Sequence, residues 1–160
     1  IRLLATSDPM LTGLGTTLSA LVIQDTRAKV VHVGDSRIYC FHQEYLERLT
    51  KDHTLAAELE GKTTSGLIAA RFQNVLLRAV GFEETVVADI RDIPISQGDI
   101  FILSTDGLEK SIGEKALAKL ITASAGQSAR EICEGVMRAA MAHPGDDNIT
   151  VGVVIAGRGA

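Results

Sequence analysis

An apolar run that ends in an aspartate and a glycine constrains this chain more than any other feature. Phe101-Ile102-Leu103-Ser104-Thr105-Asp106-Gly107 reads as a buried strand that delivers Asp106 to its end, where Gly107 lets the backbone turn away. Further along, Gly145-Asp146-Asp147-Asn148-Ile149-Thr150 is a second acidic turn, and it opens into the apolar run Val151 to Ile155. One aspartate leaves a strand and the other enters one. If the two strands are neighbours, Asp106 and Asp147 meet at one rim of a sheet. Carboxylates that close repel unless a proton or a cation lies between them. Hard oxygen donors of this kind suit Mg²⁺ or Mn²⁺.

The remaining chain supplies the sheet. Thr16 to Ile23 and Lys29 to Val33 are rich in β-branched and apolar residues, and polar Gln24 to Ala28 lies between them. That pattern predicts a hairpin. Arg37 to His42 and Tyr45 to Leu49 predict a second one, joined by Gln43-Glu44. Four strands in direct succession predict an antiparallel meander. Leu55 to Glu60 has helical composition, with Asp52 or Thr54 as N-cap. Residues 54–80 read as a helical flap that leaves the sheet and returns, with Val75-Leu76-Leu77 as a short strand. Val86 to Ile95 is the next strand, and Gln97-Gly98-Asp99 turns it into the Phe101 strand.

Two helices follow. Ser111-Ile112-Gly113-Glu114 and Ser128-Ala129-Arg130-Glu131 both have the capping-box form. Ala129, Ile132, Cys133, Val136, Met137, Ala140 and Met141 then recur at helical spacing, so this face is expected to pack on a sheet. Helices segregated from antiparallel strands give an α+β fold, in one domain over residues 1–160.

Charge and composition exclude several functions. The net charge is −4, which argues against nucleic acid as a partner because phosphate contacts need a basic face. No apolar run approaches the roughly 20 residues that span a bilayer. Cys40 and Cys133 form no CxxC pair and read as reduced structural thiols, pointing to a cytoplasmic protein. No two histidines have zinc-site spacing. His32 reads as a satisfied strand residue, His53 as a cap or core residue, and His42 and His143 as surface positions. Each acidic candidate also has a purely structural reading. Asp106 would start a helix, Asp147 would shape a strand entry, and Asp35 and Arg37 would build a tight turn.

Taken in order, six segments resemble the successive motifs of the metal-dependent protein phosphatases, the protein phosphatase 2C class in its compact bacterial form. They are Gly15-Thr16-Thr17, Gly34-Asp35-Ser36-Arg37, Thr50-Lys51-Asp52-His53-Thr54, Asn74 to Gly81, Ser104-Thr105-Asp106-Gly107-Leu108 and Asp147-Asn148-Ile149-Thr150. The resemblance covers roughly residues 12–156. It implies a layered β-sandwich of two antiparallel sheets flanked by helices. It implies two Mg²⁺ or Mn²⁺ ions at one end of the sandwich, bridging a hydroxide that attacks phosphoserine or phosphothreonine in a phosphoprotein. By motif, Asp106 and Asp147 are implied metal ligands, and Asp35 is implied at a third, weaker metal. Gly107 and Asn148 are implied to shape the turns.

The family's N-terminal portion carries an Asp-Gly motif that bridges both metals, a phosphate-holding arginine and, in many members, a histidine proposed as general acid. None of these has a counterpart before Gly15, where the only acid is Asp8. The expectation is therefore an N-terminally truncated domain of an active phosphatase, whose missing strands belong to the same parent chain. A catalytically incomplete pseudophosphatase acting as a binding module is the alternative.

Overall fold

Short turns set the first half of the fold. In a computed structural model that describes residues 1–60, 72, 74–143, 145 and 147–157, β1 (Leu18–Gln24) and β2 (Arg27–Val33) are joined by Asp25-Thr26. Likewise β3 (Arg37–His42) and β4 (Tyr45–Arg48) are joined by Gln43-Glu44. Positive φ at Gln43 (49°) and Glu44 (65°) gives a tight turn whose twist matches the flanking strands.

The four strands do not form the single meander expected of them. β1 and β2 belong to a three-stranded sheet, β1-β2-β5, with β5 spanning Asp89–Pro94. β3 and β4 belong to a four-stranded sheet, β4-β3-β6-β7, with β6 at Ile100–Ser104 and β7 at Val151–Ile155. All pairings are antiparallel. The chain changes sheets at Gly34-Asp35-Ser36. Gly34 has φ 111°, and a Cβ there would fall on the Thr17 side chain, so only glycine makes this corner. Alternation reveals which residues face a core, but not which strand lies alongside.

The four-stranded sheet separates two apolar layers. On one face, Ile38, Cys40 and Phe101 meet Ala28, Val30 and Ile93 of the other sheet. On the opposite face, Tyr39, Ile100 and Ile102 meet Leu108, Leu117, Ile121, Ile132, Val136 and Ala140. Those last six come from three helices: α3 (Asp106–Ser111), α4 (Gly113–Ala123) and α5 (Ala129–Ala142). The order is sheet, sheet, helices. Each large apolar side chain buried here contributes about 1.5–3 kcal/mol. The outer face of the three-stranded sheet is bare by comparison, with Leu18, Val22 and Ile90 exposed.

Local signals explain the helix starts, and two of them differ from expectation. Ser128 and Glu131 form the full capping box of α5. Thr54 caps α2 (Leu55–Leu59), accepting from the Ala57 amide at 3.2 Å. Ser111 does not cap: it is the last residue of α3, and Ile112 stands at the N-cap of α4. Its hydroxyl instead donates to the carbonyls of Ala140 (2.7 Å) and His143 (2.8 Å), fastening α3 to the end of α5. An unforeseen helix, α1 (Arg2–Ser7), opens the chain. Asp8 then accepts from the Met10 amide at the start of a 3₁₀ turn, Pro9–Leu11.

The expected strand over Val86 to Ile95 shortens to Asp89–Pro94, and Val75 to Leu77 gives only a bridge between Leu76 and Thr54. Of the expected flap, residues 61–71 and 73 lie outside the described residues. No helix among the described residues is long and apolar enough to cross a membrane. Cys40 and Cys133 are both free, and burial pushes the Cys40 thiol up to about 11.

Two histidines are structural. His32 is 1% exposed; its Nδ1 lies 2.8 Å from Ser19 Oγ and its Nε2 3.2 Å from the Lys51 carbonyl. A carbonyl only accepts, so Nε2 carries the proton and Nδ1 accepts from the Ser19 hydroxyl. His53 Nδ1 accepts from the Gly34 amide, and its Nε2 meets Asp89 at 3.1 Å. Burial, and then the nearby His53, hold His32 below its ordinary value of 6.5. The unfolded chain therefore takes up a proton below that pH which the folded chain resists. Stability from the neutral ring is complete above pH 6.5 and falls as the pH drops. We expect melting temperature to decline between pH 7 and pH 5, and His32→Gln to flatten that slope. An unchanged slope in the variant would exclude His32 as its source.

The two acidic turns are locked together by the backbone. β6 and β7 pair as far as Ser104 opposite Val151. Beyond that point the Thr105 amide donates to the Thr150 carbonyl (3.2 Å), and the Thr150 amide donates to Thr105 Oγ1 (3.0 Å). The Thr105 hydroxyl donates to the Asn148 carbonyl (3.3 Å). A Cβ on Gly107 would fall on that same Asn148 carbonyl oxygen. Gly107→Ala should therefore cost about 1–3 kcal/mol in urea denaturation, as overpacking does. Gly135→Ala, on a helix where a Cβ would meet only the Arg138 side chain at 3.9 Å, should be neutral or stabilising by up to about 1 kcal/mol. Equal effects of the two changes would contradict the close approach at Gly107.

Candidate metal centre

Asp106 is the first residue of α3, where the free amides of a helix start favour negative charge. One helical turn on, Lys110 reaches back. Its Nζ donates to Asp106 Oδ2 at 2.6 Å and to Asp147 Oδ2 at 2.7 Å. Asp147 Oδ1 accepts from the Asn148 amide at 2.8 Å, which fixes the orientation of the carboxylate. Two acids far apart in sequence thus converge on one cation.

The charges of Asp147 and Lys110 support each other. Lys110, followed by the Asn148 amide, holds the Asp147 carboxyl below the usual carboxylate range. The two carboxylates hold Lys110 above its ordinary value. The ammonium group is a stand-in ion: a cation already lies between two hard oxygen donors. The Asp106–Asp147 pair therefore suits Mg²⁺ or Mn²⁺ by chemistry and by mutual placement.

Asp35 stands apart from this pair. It sits in the link between β2 and β3 and lines the same open pocket, of about 390 Å³, as Asp106 and Lys110. Burial raises its carboxyl above the ordinary range, and the charges of Asp106 and then Asp52 add to this. Among the described residues, no three His, Cys, Asp or Glu side chains gather closely enough to hold a metal ion. Asp106 and Asp147 would hold an ion only with further ligands. Asp146 lies outside the described residues.

Arg37 forms the wall of the pocket. Its Nε and Nη2 reach the two oxygens of Asp52 at 3.1 and 2.7 Å, a bidentate pair. Its Nη1 lies 3.1 Å from Glu109 on α3 and 3.6 Å from Glu114 on α4. Arg48 meets Glu114 at 3.5 Å. Burial alone would depress Arg37, but hydrogen bonds to Asp52 and Tyr39 outweigh it and keep the guanidinium charged. Asp52, expected as a possible helix cap, serves this pair. Burial also raises the Tyr39 hydroxyl above its ordinary value.

Lys110 was legible as a neighbour of Asp106 through its i,i+4 spacing, yet it carries no motif of its own. Glu109 and Glu114 reach Arg37 only through the packing of helices on the sheet, so no local spacing reveals them.

Comparison with known proteins identifies the fold. A family model described as protein phosphatase 2C matches residues 5–143. The serine/threonine phosphatase stp of Listeria monocytogenes is 33% identical over 155 residues, covering 94% of this chain and 60% of its own length. The chain thus spans about 60% of the curated relatives it matches. Among solved structures, the serine/threonine phosphatase of S. agalactiae superposes with a TM-score of 0.85 at 28% identity, covering 97% of this chain and 64% of that one. The catalytic domain of the serine threonine protein phosphatase PstP, in complex with two manganese ions, gives 0.80 at 26% identity, covering 95% and 64%. With its two antiparallel sheets and flanking helices, the chain belongs to the protein phosphatase 2C family.

Proposed function

We propose that the protein carrying this chain is a metal-dependent serine/threonine phosphoprotein phosphatase acting in the cytoplasm on phosphoserine and phosphothreonine. The observation that carries this reading is the convergence of Asp106 and Asp147 on a single cation position at one rim of the sandwich. The relatives bear serine/threonine phosphatase names, and one structural neighbour holds two manganese ions. Divalent ions, when bound, supply a Lewis acid for phosphoryl oxygens and a water acidified towards neutrality.

The chain's own residues have separable tasks in this reading. Asp106 and Asp147 supply the carboxylate oxygens. Thr105, Gly107 and Asn148 hold those carboxylates against each other. Asp35 adds negative charge to the same pocket and is the candidate for a third, weaker cation. Arg37, paired with Asp52 and Glu109, keeps the wall rigid and is not offered as a phosphate ligand. The Ser19–His32 contact lies within the three-stranded sheet and serves packing. The remaining metal ligands and a phosphate clamp are proposed to come from further chain of the same protein. The exposed Leu18, Val22 and Ile90 offer that chain an apolar face.

The test is hydrolysis of a phosphothreonine peptide and of para-nitrophenyl phosphate by the full-length protein with Mn²⁺. Asp106→Asn and Asp147→Asn should each lower kcat/KM by at least about 10²-fold, beyond the loss usual for an outer-shell partner. Activity that survives both changes would remove the mechanism.

A further inference from the structure

Metal binding at this rim has an obstacle built into the chain itself. Lys110 Nζ contacts Oδ2 of both Asp106 and Asp147, the two oxygens that point towards a shared cation. A divalent ion of this class binds carboxylate oxygen at about 2.0–2.2 Å, so it and the ammonium group compete for the same place. The side chain of Lys110 is 31% exposed, and its flexible four-carbon stem leaves it free to swing into the open pocket. Glu109 and Asp35 line that pocket as well.

We propose that Lys110 is a tethered counter-cation that occupies the Asp106–Asp147 position until a divalent ion displaces it. Metal loading is then an exchange rather than a simple addition. The ammonium relieves the repulsion between the carboxylates before loading, and so preserves their spacing. It also weakens metal affinity by the strength of the two ion pairs that must break. The residue therefore sets the concentration at which the site fills. This inference rests on the metal centre proposed above.

Mn²⁺ binding to the full-length protein, followed by the electron paramagnetic resonance of the free ion, separates the possibilities without measuring turnover. Lys110→Met should bind Mn²⁺ about fivefold more tightly than the wild type, the scale expected for partly exposed ion pairs. Without metal it should melt at a lower temperature than the wild type. Lys110→Arg, which keeps the charge, should stay close to wild-type affinity. A second measurement needs no variant: Mn²⁺ should speed acylation of Lys110 in the wild-type protein, as read by mass spectrometry. Equal or weaker Mn²⁺ affinity in Lys110→Met, or acylation indifferent to Mn²⁺, would overturn the exchange while leaving the metal centre intact. Absence of Mn²⁺ binding in every form would overturn both.

Discussion

Two negative charges held side by side are the central physical problem of this structure, and backbone geometry solves it. Carboxylates repel, so nothing in Asp106 or Asp147 alone brings them together. The force comes from the closing of two turns, through the amides of Thr105 and Thr150 and the missing side chain of Gly107. Lys110 then neutralises the result. Exposed ion pairs are individually weak, so the ladder positions the acids and the lysine completes the arrangement.

Much of this geometry was legible in the sequence because it follows from strand order. An aspartate at the end of β6 and another at the start of β7 must approach if the strands pair, and they do. Hairpin turns were readable at Gln43-Glu44, and the α5 start at Ser128, because those signals are local. The passage between sheets at Gly34 was not readable, since its cause is contact with Thr17, distant along the chain. The helix α3 hid behind Ser111, whose hydroxyl imitates a cap in sequence but serves the carbonyls ending α5. The wall around Arg37 draws on β3, α3, α4 and the turn at Asp52, so only tertiary packing assembles it.

That wall gives the rim its stiffness. Arg37 begins β3 directly after the Gly34-Asp35-Ser36 corner, and its guanidinium joins the strand to two helices. A shift of α3 relative to the sheet would break charge-assisted bonds in a half-buried setting. Asp35, which carries negative charge into the pocket, is anchored by the same corner. The acidic rim is thus braced by a positively charged strut already paired with Asp52 and Glu109.

Along β6, neighbouring side chains point to opposite sides: Phe101 into the space between the sheets, Ile102 beneath the helices, each wholly shielded from water. This strand is a party wall shared by two oily rooms. Neither room can be emptied without opening the other, so local melting has no easy place to start there. Asp106 hangs from the end of that wall. Its position is consequently inherited from a strand shielded on both sides.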